Sequence, residues 1–396
     1  MKRQKTIHFS LLTDVCRAAI SDNESSRSLV SRLSEIVAER GDPDGGAIIR
    51  ALLAESNATA PGDTEAAAPN TLEKDAISIA LPGENLTRAS RIPVDRETAA
   101  PLASVLYRDH LPSAPPILAS ELHATLESFV AEWQRSAELL QVGIQPARSC
   151  LFFGEPGTGK TQLALWLASR LGLPVILARL DGLMSSFLGT TSRNIGNLFA
   201  FANRHRAVLL LDEVDAIAKL RDDPNEVGEI KRVVNTLLQN IDERAAHGLT
   251  FSITNHPQLL DPAVWRRFEI QMELPKPGTV ERMSIIRKYA MPLEFAAGEL
   301  KLITWLLQGT SGAEVEDFVR SIRKSWVLQG ATIALVERLR MIAYTHAARI
   351  SKVNLAEISK PDREIAGLLA NCYNFSVPEL AQAFSVNRTT IARWLN

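Results

Sequence analysis

Gly154–Thr161 read GEPGTGKT, directly after the apolar run Cys150–Phe153, and a second apolar run, Val208-Leu209-Leu210-Leu211, ends in Asp212-Glu213. Glycine keeps side chains out of such a loop, so backbone N–H groups are free to wrap phosphate oxygens. Gly154, Gly157 and Gly159 are the positions that need this, and Glu155, Pro156, Thr158 and Gln162 complete the candidate nucleotide-binding stretch. Lys160 supplies a point charge to the β- and γ-phosphates. Thr161 offers its hydroxyl to Mg²⁺ at a helix N-terminus, where the helix dipole also favours anions. Asp212 follows Thr161 by 51 residues and is the carboxylate expected to hold Mg²⁺, mostly through water; Glu213 is the expected general base for the attacking water. Asp215 reads as the cap of the next helix. An acidic pair after an apolar strand could simply open a solvated helix, and it gains its meaning from the loop upstream. Together the two elements predict hydrolysis of a nucleoside triphosphate with Mg²⁺.

The surrounding pattern predicts the fold class. Cys150–Phe153, Val175–Ala178, Val208–Leu211 and Thr250–Thr254 are apolar runs of strand length, separated by helical patterns such as Leu122–Leu140 and Thr161–Leu171. Strands alternating with helices imply an α/β fold with a doubly wound parallel sheet, here expected over 115–275. From Pro277 onward the pattern is helical only, through Val280–Tyr289, Glu299–Leu307, Gly312–Leu328 and Ile333–Ala348. This predicts a helical lid over 276–350 and a further helical C-terminal segment over 355–396. At the other end, Leu29, Leu33, Ile36 and Val37 recur at helical spacing and predict a helical N-terminal domain over 1–56. Residues 57–114 read as a linker and a poorly assigned region, first rich in Ala, Pro, Thr and Gly, then carrying short apolar pieces between prolines.

Bulk properties exclude several classes. The 396 residues are 46% hydrophobic and 22% charged, ordinary for a globular protein, and the formal net charge of -1 gives the whole chain no electrostatic lure for nucleic acid or anionic membrane. Three scattered cysteines, Cys16, Cys150 and Cys372, show no metal spacing and suit a reducing compartment. No apolar run approaches the roughly 18 residues that span a bilayer, and the basic start MKRQKTIHFSLLTDVC has too short an apolar part for a signal peptide. The expectation is a cytoplasmic protein without a membrane partner.

GEPGTGKT, SSFLGTTSRNIGNLFAFA, LLLLDEVDAIA, ITNHPQLLDPAVWRRFE and GTSGAEVEDFV together resemble the AAA ATPases, the branch of AAA+ proteins that includes proteasomal ATPases and microtubule-severing enzymes. The resemblance implies roles residue by residue. Asn255 is similar to the polar sensor that orients water beside the γ-phosphate; from its own context it would be a strand-end Asn in a turn with Pro257. Arg266 and Arg267 resemble the paired arginines that reach into a neighbouring subunit's ATP site, where guanidinium groups stabilise a transferring phosphoryl group. Gly312-Ala313 resembles the lid segment beside the nucleotide, and Ile117 and Leu118 would help line the adenine pocket. Phe187-Leu188-Gly189 resembles the aromatic–hydrophobic–glycine loop facing the central channel of family rings, where an exposed aromatic grips an extended polypeptide; a core Phe closing a strand end is the plainer alternative. A homo-oligomeric ring of six, a protein substrate and a partner protease follow from this resemblance, which extends to small bacterial AAA ATPases that accompany subtilisin-like proteases. The chain shows no HExxH and no Ser/His/Asp grouping of its own.

At the C-terminus, VPELAQAFSVNRTTIARWL over 377–395 has the apolar spacing of two short helices around a turn and resembles a helix-turn-helix. Asn387 is the expected cap of the second helix, and Arg388, Thr389, Thr390 and Arg393 its exposed face, with chemistry suited to DNA bases and phosphates. Ser385 stands where such turns usually carry glycine, and 361–396 is balanced between arginines and acids. A DNA-directed ATPase is therefore the alternative to a protein remodeller, with a helical protein-binding module as the third reading of the segment.

Overall fold

Four apolar runs form the centre of one sheet and two short strands complete it. The structure, a computed structural model, describes residues 81–179, 183, 188–218, 227–244, 248–330 and 333–396. The helical domain expected over 1–56, the linker up to residue 80 and Phe187 lie outside the described residues. In chain order the first elements are β1 (Ala103–Leu106), α1 (Ser120–Gln134), α2 (Ser136–Gln141), β2 (Ser149–Phe153), α3 (Lys160–Arg170), β3 (Val175–Ala178) and α4 (Leu188–Arg204). There follow β4 (Val208–Leu211), α5 (Asp215–Ala218), α6 (Val227–Arg244), β5 (Leu249–Thr254), α7 (Pro262–Trp265) and β6 (Ile270–Glu273).

The six strands run in the order β1-β3-β4-β5-β2-β6. All neighbours are parallel except β1, which pairs antiparallel with β3, Ala103 opposite Ala178. The sheet is thus α/β and mostly parallel, with one antiparallel edge from a stretch that sequence pattern leaves unassigned. Both faces are covered, which explains why β4 is continuously apolar instead of alternating. Successive side chains point to opposite faces: Val208 and Leu210 pack with Leu126, Phe129, Trp133, Leu163 and Trp166 of α1 and α3. Leu209 and Leu211 pack with Ile195, Leu198 and Phe199 of α4 and Val233, Val234 and Leu237 of α6. Fully buried Arg244 closes the end of that second layer, donating to the carbonyls of Ala202 at 2.6 Å and Ala207 at 2.7 Å. A cation is well placed there, because the last carbonyls of α4 carry the negative end of its dipole.

The remainder is helical: α8 (Thr279–Ala290), α9 (Ala297–Leu306), α10 (Gly312–Gln329), α11 (Leu335–Thr345), α12 (Lys352–Ile358), α13 (Asp362–Tyr373), α14 (Val377–Ala383) and α15 (Arg388–Leu395). One apolar core runs through all of them, from Ile285 to Ile391, across the point where the sequence pattern places a division between lid and C-terminal segment. The junction is close. Gly298 of α9 donates its N–H to Gln382 Oε1 at 2.8 Å, and a Cβ at that position would collide with the Glu379 carbonyl. Lys301 ties the same helix to Glu379 at 2.9 Å and to the Asn374 carbonyl at 2.8 Å. Buried Asn354 bridges α12 to the Trp305 carbonyl at 2.9 Å. Among the described residues no helix is long and apolar enough to cross a membrane.

Candidate nucleotide site

Strand order alone gathers the sequence motifs. β4, β5 and β2 are adjacent and parallel, so their C-terminal ends deliver Asp212-Glu213, Asn255 and the glycine loop to one edge of the sheet, the edge where open α/β sheets bind ligands. Between this edge and the lid lies a cavity of about 350 Å³ lined by Pro156–Gln162, Asp212, Glu213 and Asn255 on the sheet side and by Ile285, Gly312 and Ala313 on the lid side.

The loop is held ready for an anion. Gly159 is left-handed, with φ +96°, and starts α3 with its N-terminus facing the cavity. Lys160 is only 4% exposed, and its ammonium donates to the loop's own carbonyls, Gly154 O at 2.9 Å and Glu155 O at 2.7 Å. Burial lowers its pKa, and the nearby Asp212 and Asp215 carboxylates oppose that shift. Glu155 is in turn paired with Lys276.

Asp212 is fixed through both oxygens. Thr161 Oγ1 donates to Oδ2 at 2.9 Å, and the Glu213 N–H donates to Oδ1 at 2.9 Å. A hydroxyl and a carboxylate in contact are hard oxygen donors of the kind Mg²⁺ takes, together with phosphate oxygens and water. The described residues contain no cluster of three or more His, Cys, Asp or Glu. Glu213 has φ +53°, a conformation that costs a non-glycine residue on the order of 1 kcal/mol or more and concentrates at functional sites. Asp215 lies in the first turn of α5 and accepts the Thr254 hydroxyl at 2.7 Å, which braces the end of β5 just before Asn255.

The lid meets the loop directly. The Ala313 N–H donates to Gly157 O at 3.1 Å. Gly157 has φ +77°, and a Cβ there would sit 2.7 Å from Ser311 Oγ, so only glycine allows the loop and the start of α10 to approach this closely. Ser311 and Glu314 form a reciprocal capping box that fixes this helix start. Ile117 lines the cavity, while Leu118 does not and packs instead into the core beneath the sheet.

Neither Arg266 nor Arg267 lines the cavity of its own chain. Arg266 is exposed at the end of α7. Arg267 contacts Asp242 Oδ2 at 3.3 Å and the Ala263 carbonyl at 3.2 Å. Leu188 and Gly189 begin α4, immediately after the position of Phe187. At the C-terminus, Asn387 stands at the N-cap position of α15 but makes no side-chain capping bond, which corrects the expected role. Ser385 takes φ +57°, the left-handed conformation for which glycine is usual at such a turn. Arg388, Thr389 and Arg393 are exposed, Thr390 is half-buried, and Ile391 anchors the helix in the core.

The polar lining residues that escape the sequence reading are Lys288 and Tyr289 of α8 and Glu316 of α10. Lys288 and Tyr289 lie more than 120 residues beyond the glycine loop, and no local motif marks them. Glu316 falls one turn after Gly312, which is the one signal that could have found it.

The family profile described as "ATPase family associated with various cellular activities (AAA)" matches residues 150–276. An uncharacterized AAA family ATPase of Sinorhizobium fredii is 34% identical over 235 residues, 59% of this chain and 70% of that protein. A putative 26S proteasome regulatory subunit homolog of Methanothermobacter marburgensis is 37% identical over 177 residues, 43% of this chain and 47% of its own length. The proteasome-activating nucleotidase of Thermococcus onnurineus is 27% identical over 286 residues, 65% of this chain and 71% of that protein. The chain thus spans about half the length of the archaeal regulatory-subunit homologs it matches. A solved structure, that of the FIGL-1 AAA domain, superposes with a TM-score of 0.49 at 20% identity, covering 72% of this chain and 94% of that one. On its glycine loop, its acidic strand end and its relatives, the chain belongs to the AAA family of ATPases.

Proposed function

We propose that this ATPase binds ATP with Mg²⁺ in the cavity between sheet and lid, hydrolyses it, and uses the cycle to remodel protein substrates as a ring of identical subunits. The observation that carries the reading is the convergence of Lys160, Thr161, Asp212, Glu213 and Asn255 on one cavity whose opposite wall is the lid. Bound Mg²⁺ would supply charge neutralisation at the phosphates. The chain's own residues do the rest: the loop N–H groups and Lys160 cradle the phosphates, Thr161 and Asp212 offer the metal's protein oxygens, Glu213 accepts a proton from water, and Asn255 orients that water. Arg266 and Arg267, outside their own chain's cavity, complete the site of an adjacent copy. Because Ala313 touches Gly157, loss of the γ-phosphate would act on the lid through one hydrogen bond. Similarity to a proteasome-activating nucleotidase and to putative proteasome regulatory subunit homologs supports work on proteins, with Phe187 gripping the polypeptide and a partner protease performing any cleavage.

The test is ATP-dependent unfolding of a folded reporter carrying an unstructured tail. The reading expects unfolding that stops with Glu213→Gln and with Phe187→Ala. A Phe187→Ala chain that unfolds the reporter like the wild type overturns the grip.

One observation favours a second reading, a DNA-directed ATPase. α15 rests its apolar side in the core and turns Arg388, Thr389 and Arg393 outward, a geometry that a major-groove reader uses. Since α13–α15 share a core with the lid, the assay is a gel shift of the full chain: a salt-dependent, sequence-selective shift lost in Arg388→Ala/Arg393→Ala supports this reading, and no shift at low salt removes it.

A further inference from the structure

α4, 17 residues and so about 25 Å long, is fastened at both ends by one segment of the chain, residues 83–102. At its C-terminal end the Glu84 N–H donates to the Arg204 carbonyl at 2.7 Å, and the Arg206 N–H donates to the Glu84 carbonyl at 2.8 Å. Gly83 has φ +111°, and a Cβ there would sit 2.8 Å from the Arg204 carbonyl oxygen, so only glycine permits this approach. Leu86 and Ile92 then join the core that holds Ile195, Leu198 and Phe199 of α4. At the N-terminal end the segment folds into a tight loop. The Asp95 N–H donates to the Ala100 carbonyl at 2.8 Å, and the Ala99 N–H donates to the Asp95 carbonyl at 3.0 Å. From there the chain enters β1.

That loop holds α4 through two carboxylates. Asp95 is only 1% exposed. Its Oδ1 accepts the N–H groups of Glu97 at 2.6 Å and Thr98 at 3.3 Å, and its Oδ2 accepts the Asn194 amide at 2.8 Å. Burying a carboxylate is costly unless its oxygens are satisfied, and both of these are. The Glu97 N–H, followed by the Asn194 amide, holds the Asp95 carboxyl below the usual carboxylate range. Glu97 Oε1 accepts the Thr190 hydroxyl at 3.0 Å. Thr190 and Asn194 are four residues apart, so they share one face of the first two turns of the helix. α4 has no acidic residue in its own first turn. A helix N-terminus favours negative charge, and here another part of the chain supplies it.

Leu188-Gly189 begin this helix. Farther along it, Ile195, Leu198 and Phe199 pack with Leu209 and Leu211 of β4, the strand that ends in Asp212-Glu213. α4 therefore joins the candidate gripping motif to the nucleotide edge of the sheet. We infer that Asp95 and Glu97 are positioning residues for that motif: they lock the first turns of α4 to the rest of the domain, so that Leu188-Gly189 move with the sheet instead of yielding when a substrate resists. The inference rests on the reading of 187–189 as the substrate-gripping segment and adds what holds it.

The experiment uses the full wild-type chain, Glu97→Ala, Glu97→Gln, Thr190→Val and the double variant Glu97→Ala/Thr190→Val. It measures basal ATP turnover, ATP consumed per molecule of tailed reporter unfolded, and hydrogen exchange over 188–195. Glu97 is exposed, so its replacement leaves the core intact. The expected result is basal turnover within about twofold of the wild type, with ATP consumption per reporter raised about threefold to tenfold in Glu97→Ala and in Thr190→Val, the equivalent of one hydrogen bond. Glu97→Gln, whose amide oxygen still accepts the Thr190 hydroxyl, should stay near the wild type, and the double variant should be no worse than either single change. Unchanged consumption in both single variants overturns the inference. So does a parallel loss of turnover and unfolding, which is the signature of general damage, and so does a glutamine variant as impaired as the alanine one. A wild-type chain that unfolds no reporter contradicts the remodelling reading, and hydrogen exchange then decides alone: faster exchange confined to 188–195 in Glu97→Ala supports the brace, and exchange equal to the wild type overturns it.

Discussion

Thr161 donates its hydroxyl to Asp212 Oδ2 at 2.9 Å, joining the first turn of α3 to the end of β4. The contact places a hydroxyl and a carboxylate where one ion would meet both. Thr161→Val keeps the shape and removes the oxygen. ATP turnover should fall on the order of 100-fold, the usual consequence of removing one preorganised electrostatic contact, and the Mg²⁺ concentration for half-maximal rate should rise. A Mg²⁺ titration of ATPase activity checks both. Unchanged Mg²⁺ dependence would assign the hydroxyl a purely structural role.

Glu213 holds φ +53° at the mouth of the same strand. Such strained backbone clusters at functional sites. Glu213→Gly should relieve that strain, raising stability by about 1 kcal/mol, while hydrolysis falls about 10²–10⁴-fold for want of the base. Thermal midpoint and turnover, measured on one preparation, should therefore move in opposite senses. A variant that loses both stability and activity would contradict the strain argument.

Part of this was legible before any coordinates. GEPGTGKT after Cys150–Phe153 requires a strand, a tight loop and a helix, and β2 and α3 supply them; the doubly apolar run Val208–Leu211 marks a strand covered on both faces. β1 was not legible, because four residues, Ala103 buried and the other three half-buried, carry no apolar–polar alternation, and the strand exists only by pairing with β3. β6, Ile-Gln-Met-Glu, does alternate apolar and polar, but over only four residues, and its pairing with β2 makes it a strand. Within the site, residues contiguous with the strand ends could be named. Lys288 and Tyr289 could not, since only the packing of α8 against α10 brings them to the cavity.

Gly298 is the contact point between α9 and α14, and a Cβ there meets the Glu379 carbonyl. Gly298→Ala should destabilise the protein by about 1–3 kcal/mol, the range for overpacking a tight junction. Because one core spans Ile285 to Ile391, the lid and the last three helices should lose protection together. Hydrogen exchange on the variant checks this: faster exchange confined to α13–α15, with α8–α10 unaffected, would mean that the segment is an independent unit.

Burial depresses the Lys160 pKa below its ordinary 10.5. Between that depressed value and 10.5 the unfolded chain holds more protons than the nucleotide-free fold, so stability of the free protein should rise with pH across this window, and below it the cost of burying the charge is present in full. Phosphates reverse the preference by favouring the ammonium. ATP binding should accordingly take up protons within the window and weaken as pH climbs through it. Calorimetry in buffers of different ionisation enthalpy measures the uptake, and Lys160→Met should abolish it.

The central claim is a site built by two copies of the chain, with Glu213 of one subunit served by Arg266 and Arg267 of the next. Its most direct measurement mixes two inactive proteins, Glu213→Gln and Arg266→Ala/Arg267→Ala, and follows ATP turnover. Mixed assemblies regain sites that pair an intact Glu213 with intact arginines, so activity should rise well above the sum of the separate preparations. Turnover no greater than that sum, or a double arginine variant that hydrolyses ATP like the wild type at every dilution, would contradict the account.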